Sequence, residues 1–169
     1  MFLDRDGVLV REIVRDGDAF APTRLEDFVL VHEAAAQVDR LRAAGLVCIV
    51  FTNQPEVARG LLAPDTLEQM HQQLRSTVAV DDIVICPHVD ADACLCRKPS
   101  PGMLRQAAER WDLDLERSFV VGDRWRDIDA GRAAGCYTVL IERAYSKCTT
   151  ADACVSTLPE AVDLILGRV

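Results

Sequence analysis

No uninterrupted apolar run in the 169 residues approaches the roughly 18 that a membrane-spanning helix needs. The opening MFLDRDGVL has no basic stretch leading into an apolar segment and cleavage site, so it does not read as a secretion leader. Positive charge is also scarce. Lys and Arg total 19 against 27 Asp and Glu, a formal net charge of -8, and the absence of any basic run is unfavourable for a nucleic-acid track. A pocket for one small phosphorylated molecule needs only two or three cations and remains open. No internal repeat, flexible linker or low-complexity segment divides the chain. The expectation is a single domain over residues 1–169, cytoplasmic and monomeric, without a membrane or nucleic-acid partner.

Cysteine, by contrast, is plentiful. Seven residues in a chain without a leader, an odd number, argue against a complete extracellular disulfide framework. Apolar residues at 50% and charged residues at 27% place the chain among soluble globular proteins.

The apolar run 1–3 ends at Asp4, Arg5, Asp6 and Gly7 and reads as a strand meeting a turn. Its brevity implies either a trimmed first strand or a start further upstream. Segment 8–30, with Gly17, Pro22 and several acidic residues, reads as a long loop with little regular structure that can border a site. Apolar positions 31, 34, 35, 38 and 41 keep helical spacing up to Gly45, and LVCIVFT at 46–52 suits a strand buried on both faces. A helix over about 65–75 carries Leu67, Met70 and Leu74 on one side, and a strand follows over 78–85. Ser100 and Pro101 open a helix that runs to Trp111. Then come a strand at 119–121, a helix at 128–134 ended by Gly135, a strand at 137–141, an edge-strand residue at Val155 and a last helix over 158–166. The alternation predicts an α/β fold: a mostly parallel sheet with helices on both faces and ligands beyond the carboxyl ends of its strands.

The chemistry-bearing residues fall at those ends. Asp4 and Asp6 flank one residue at a strand terminus, so the two-residue period can direct both to one side. Two carboxylates that close repel unless a cation or shared proton compensates, and magnesium is the natural hard divalent ion. Asp123 and Asp127 in GDRWRDID follow another buried strand and can complete an oxygen-rich site. Thr52 and Asn53 follow a third, and Lys98 can neutralise a phosphate oxygen. Taken singly, each reads as well as a turn residue, a helix cap or a solvated charge; their succession at four strand-to-loop transitions singles them out.

Cys86, His88, Cys94 and Cys96 spell C-x-H-x5-C-x-C. Three thiolates and one imidazole favour tetrahedral zinc, and four protein ligands make a closed structural site. Its task is to pin a loop poor in hydrophobic residues so that Arg97 and Lys98 arrive in a fixed position. Cys48 and Cys136 read as core thiols, while Cys148 and Cys154 stay unassigned, a pair between them having no support from the expected compartment.

FLDRDGVL, FTNQ, CRKPSPGM and GDRWRDID resemble, in order, the four motifs of the haloacid dehalogenase-like hydrolases, nearly all of them phosphatases, over residue 2 to about 141. The spacings suit a small member with no inserted cap domain. TNQPEVARG and KPSPGM are similar to the heptose bisphosphate phosphatase branch, although Pro55 and Glu56 stand where its TNQSG pattern has Ser and Gly. The length of the 86–96 loop is closer to the histidinol-phosphate phosphatase branch, and CPH and CRC elements surround the zinc loop in both.

The resemblance implies a Rossmann-like fold with Asp4 as nucleophile and Asp6 as proton donor and then base. It implies magnesium held by Asp4, the backbone carbonyl of Asp6, and Asp123, with Asp127 in support. Thr52 and Lys98 would meet the phosphate, Lys98 also pairing with Asp123, and Asn53, Gln54, Arg59, Arg97 and Arg124 would face substrate. Arg5, between the two aspartates, is expected to point differently from them and give mainly its backbone amide. The leading substrate is the C7 phosphate of D-glycero-D-manno-heptose 1,7-bisphosphate, with histidinol phosphate second. A zinc-stabilised binding protein with degenerate motifs is the alternative from another class.

Overall fold

The computed structural model describes residues 1–147 and 150–169. Six parallel strands form one sheet in the order β5-β4-β1-β6-β7-β8. These are β1 (Phe2–Leu3), β4 (Ile49–Asn53), β5 (Asp82–Cys86), β6 (Phe119–Gly122), β7 (Tyr137–Ile141) and β8 (Ala153–Val155). The first strand is short by name, yet its ladder extends at both ends: Ile49 donates to the carbonyl of Met1, and Asp4 donates to that of Val121. β1 lies between β4 and β6 with the chain continuing to either side, so a crevice opens beyond its carboxyl end.

Period two divides the strand side chains between two cores. Leu3, Val50 and Val121 join one core with Leu41 of α1 (Ala34–Ala43), Leu74 of α3 (Pro64–Thr77) and Ile165 of α6 (Leu158–Leu166). Phe2, Ile49, Phe51 and Val120 join the other with Met103 and Leu104 of α4 (Gly102–Trp111) and Ala130 of α5 (Trp125–Ala134). Because both faces are covered, the strands are apolar nearly throughout, which is why the sequence displays them as uninterrupted hydrophobic runs.

Several boundaries shift. The strand expected over 78–85 occupies Asp82–Cys86, because Val78 still accepts the end of α3 by donating to the carbonyl of Leu74. A short helix, α2 (Pro55–Ala58), follows β4 with proline at its start.

Segment 8–30 is a larger correction. It holds an antiparallel hairpin, β2 (Ile13–Arg15) with β3 (Asp18–Phe20), joined by Asp16 and Gly17 at φ 52° and 85°. That pair of positive dihedrals is the tight turn that Asp-Gly favours, and its twist matches the flanking strands. No helix among the described residues is long and apolar enough to cross a membrane.

Candidate active site

Three strand ends and one loop bring the polar residues together around a cavity of about 410 Å³. Asp4 leaves β1 with its carboxylate Oδ1 receiving the Arg5 backbone N–H at 2.7 Å and Lys98 Nζ at 2.8 Å. Lys98 Nζ also reaches Asp127 Oδ1 at 2.6 Å and the carbonyl of Phe51 at 3.1 Å, and lies 4.2 Å from the Phe51 ring centroid. The lysine therefore pairs with Asp4 and Asp127, and the expected Lys98–Asp123 pair is corrected: Asp123 instead takes the Tyr145 hydroxyl on Oδ2 at 2.6 Å. Asp127 stands in the first turn of α5, where its Oδ2 also accepts the Arg124 backbone N–H at 3.0 Å. One helical turn swings it toward Lys98 while Asp123, still on the strand end, faces Gly7.

Asp4, Asp123 and Asp127 are buried, with one oxygen of each within 4.8 Å of the others. Burial, then the neighbouring Asp127 charge, pushes the Asp4 carboxyl above its ordinary range despite Lys98. Asp123 is raised well above its ordinary range by burial, then by Asp127 and Asp4. Burial works against charge on Lys98 as well, but Asp127 and Asp4 prevail and raise it. Three buried carboxylates thus face one buried ammonium, and Asp123 Oδ1 has no hydrogen-bond partner. An all-oxygen donor set with surplus negative charge and an orphaned oxygen fits a hard divalent cation. Gly7, at φ 92°, preserves the close approach: a Cβ there would lie 2.2 Å from Asp123 Oδ2.

Asp6 lines the same cavity, held from behind. Its carboxylate receives Arg5 Nε at 3.1 and 3.2 Å, Arg5 Nη2 at 3.0 Å and Gln54 Nε2 at 2.8 Å. Arg5 points differently from Asp4 and Asp6, being fully buried and absent from the cavity lining, and it supplies its backbone amide to Asp4; its side chain contributes as well, however, by holding the Asp6 carboxylate. Gln54 is likewise buried beneath the cavity and also donates to Thr52 Oγ1 at 2.8 Å. With its lone pair engaged there, the Thr52 hydroxyl is left to donate its proton. Asn53 exchanges two hydrogen bonds with the Lys98 backbone, giving Nδ2 to the carbonyl at 3.2 Å and accepting the N–H on Oδ1 at 3.1 Å.

Arg59, Arg97 and Arg124 all line the cavity. Arg59 pairs with Glu56 at 2.9 Å, Arg97 with Asp90 at 2.7 Å, and Arg124 donates to the carbonyl of Ala19 at 2.6 Å. Sequence reading missed Arg126, Tyr145 and Lys147, which share that lining with Asp18, Ala19 and Phe20 of the hairpin. The signals were present: Arg126 lies inside the GDRWRDID motif, Tyr145 and Lys147 follow the carboxyl end of β7, and Asp-Gly marks the hairpin.

Beside this cavity, Cys86 Sγ, His88 Nδ1, Cys94 Sγ and Cys96 Sγ lie within 4.8 Å of one another and could hold a metal ion. Their hydrogen-bond-range separations run from 3.1 Å (Cys86 to Cys96) to 3.7 Å (Cys86 to Cys94). Those spacings approach the edges of a tetrahedron built on zinc–sulfur bonds of about 2.3 Å. Cys48 and Cys136 are buried as expected, and the Cys148 half of any pair with Cys154 lies outside the described residues.

A parallel sheet with this crevice, paired aspartates on the central strand and a lysine and further aspartates from neighbouring loops define a hydrolase of the haloacid dehalogenase type. A family model described as HAD-hydrolase-like matches residues 95–162. The D-glycero-β-D-manno-heptose-1,7-bisphosphate 7-phosphatase of Pseudomonas aeruginosa is 42% identical over 147 residues, covering 84% of this chain and 80% of that protein. Its namesake from Bordetella bronchiseptica is 36% identical over 156 residues, covering 89% and 84%. The crystal structure of the D,D-heptose 1,7-bisphosphate phosphatase from B. bronchiseptica, complexed with magnesium and phosphate, superposes with a TM-score of 0.86 at 30% identity, covering 100% of this chain and 98% of that one. The chain belongs to the heptose-1,7-bisphosphate phosphatase family of haloacid dehalogenase-like hydrolases.

Proposed function

We propose that this protein is a magnesium-dependent phosphatase that removes the C7 phosphate of D-glycero-D-manno-heptose 1,7-bisphosphate through a phospho-Asp4 intermediate. The observation that carries the reading is the Asp4 carboxylate itself, buried at the end of β1, held by Lys98 and the Arg5 amide, and open to the cavity. The names of both relatives support the sugar, and specify the β anomer. Histidinol phosphate is not favoured by these relatives, and an intact set of Asp4, Asp6, Thr52, Lys98 and Asp123 argues against a degenerate binding protein.

Asp4 attacks phosphorus and the bond to the C7 oxygen breaks; Asp6 gives that oxygen its proton, then takes one from the water that cleaves phospho-Asp4. Thr52 donates its hydroxyl to the phosphoryl group, and Lys98 balances its equatorial charge. Asp4, the backbone carbonyl of Asp6 and Asp123 would hold Mg2+, with Asp127 supporting Lys98. The ion would orient the phosphoryl group and screen its charge against the aspartates. Gln54 acts behind the site, fixing Asp6, and Asn53 lines the cavity while fixing Lys98; Arg59, Arg97, Arg124, Arg126 and Lys147 form the basic rim for the remainder of the substrate.

The four-residue Cys/His cluster holds structural Zn2+ in this reading, supported by its soft donors and their spacing. The chain works as a single domain without an inserted cap, as a cytoplasmic monomer with no nucleic-acid or membrane partner.

Phosphate release from α- and β-heptose 1,7-bisphosphate and from histidinol phosphate, with magnesium saturating, tests the substrate. The β anomer is expected to exceed histidinol phosphate in kcat/KM by about tenfold or more. Faster histidinol-phosphate turnover would reverse the assignment. Asp4→Asn is expected to lose about a thousandfold in kcat, and turnover within about threefold of the parent would overturn the nucleophile.

A further inference from the structure

Two buried polar side chains next to the catalytic pair have no part in the chemistry above. The Arg5 guanidinium grips both oxygens of Asp6 through Nε and Nη2, lies 5.4 Å from the centroid of the Phe28 ring, and places Nη1 at 3.1 Å from His71 Nε2. His71 is fully buried on α3, on the face that also buries Leu67, Met70 and Leu74.

The chemistry of the two groups fixes the tautomer. A guanidinium offers only donors, so His71 Nε2 must present its lone pair and the ring proton sits on Nδ1. Nδ1 is buried with no partner. Burial, then the charges of Arg5 and Arg75, lowers the imidazole to about 3, so the ring stays neutral and remains an acceptor through the physiological range. Packing alone would be served by another apolar residue on this face. An imidazole that leaves one nitrogen unsatisfied and turns the other to Arg5 is placed there for that contact.

We propose that His71 is a positioning residue for proton transfer, acting through Arg5 to hold the Asp6 carboxylate toward the cavity. The proposal rests on the role of Asp6 in the reading above. With Nη1 anchored on His71, rotation of the guanidinium plane is blocked, and the fork that Arg5 presents to Asp6 keeps one orientation. Gln54 steadies the same carboxylate from the Thr52 side.

The consequence is selective. A poorly placed acid hurts most when the departing oxygen is a basic alkoxide, and least when it is an acidic phenolate that leaves without a proton. The ratio kcat/KM reports the steps through cleavage of the phosphorus–oxygen bond and is independent of the later hydrolysis of phospho-Asp4.

The experiment measures kcat/KM of the magnesium-saturated enzyme on heptose 1,7-bisphosphate and on 4-nitrophenyl phosphate for the parent, His71→Leu, His71→Gln and Asp6→Asn. His71→Leu is expected to lose about tenfold or more on the sugar phosphate and under about threefold on the aryl phosphate. His71→Gln, which restores an acceptor, is expected to recover most of the loss. Should the leucine variant not fold, Arg5→Lys keeps the buried charge without the fork and is expected to show the same selectivity.

Parallel losses on the two substrates, or a glutamine variant as impaired as the leucine one, would overturn the proposal. Asp6→Asn separates the two levels. If it lacks the selectivity itself, the role of Asp6 fails. If it shows the selectivity and the His71 and Arg5 variants do not, only the present inference falls.

Discussion

Lys98 is the residue on which the electrostatics of the site turn. Its ammonium is buried between Asp4 and Asp127, and desolvated charges of this kind are stable only while each keeps its partner. Lys98→Ala would leave two carboxylates facing one another out of water. The expected cost is about 3–5 kcal/mol in the metal-free protein, read as a lower midpoint in denaturant melts, with magnesium recovering part of it. Activity should fall about a hundredfold or more. The types of these residues were legible in the sequence because acids and a lysine at successive strand ends have few other joint explanations. Their pairings were not. Whether Lys98 meets Asp123 or Asp127 depends on which of them lies on the strand and which on the first helical turn, and four residues of separation across that junction do not say. The hold of the Arg5 side chain on Asp6 was hidden similarly: strand alternation does turn it differently from Asp4 and Asp6, but a long side chain can curl back to its neighbour.

Among the elements, the β2–β3 hairpin carries Ala19 and Phe20 to the cavity and is tethered by Arg124. Gly17→Val would force a branched side chain into a positive-φ position at the turn. KM is expected to rise about threefold or more with a smaller change in kcat, since the hairpin lines the cavity but supplies none of the groups proposed for the chemistry. An equal KM would show that it contributes nothing to binding. This element escaped sequence reading because its strands are only three residues long and its exposed residues lack the apolar alternation of a buried strand, leaving Asp-Gly as its sole strong mark.

At the far edge of the sheet, Asp152 Oδ2 accepts both the N–H and the hydroxyl of Thr138, each at 2.7 Å, and so fastens β8 to β7. Burial opposes charge there, yet the Thr138 bonds hold the Asp152 carboxyl below its ordinary value. A depressed folded value means that the contribution is present above the unfolded carboxyl range near about 4 and lost as pH falls through the folded one. Asp152→Asn is expected to lower Tm by about 2–4 °C at neutral pH, the size of one modest hydrogen-bonding contribution. The gap should narrow in melts taken at about pH 3. In the Cys/His loop, elemental analysis is expected to find one zinc per chain irrespective of magnesium, and Cys94→Ser should loosen the loop and lower kcat through Lys98 while leaving Asp4 in place. Active, chelator-free protein without zinc would refute that assignment.

For the whole molecule, a net charge of -8 coexists with six cationic side chains around one cavity. The field that reaches a bisphosphate is therefore local and short-ranged. Raising salt from about 0.05 to 0.5 M should lower kcat/KM several-fold by screening that rim, as measured in steady-state assays; no change would mean that its arginines are already neutralised by Asp90 and Glu56. The layered α/β arrangement was the most legible level of all, since strands covered on both faces show themselves as continuous apolar runs and the helices between them keep their own period.

The place of β1 in the sheet has a consequence for how the enzyme matures. Asp4 and Asp6, the nucleophile and proton carrier of the proposed reaction, precede Asp123 by more than a hundred residues, and Asp123 directly follows β6, the strand on the opposite flank of β1. A truncated chain that stops before β6 carries the two carboxylates proposed to react but lacks Asp123 beside them. Catalytic competence thus has to wait for both flanks of β1, and the regain of turnover during renaturation should report their joining rather than the earlier collapse of either.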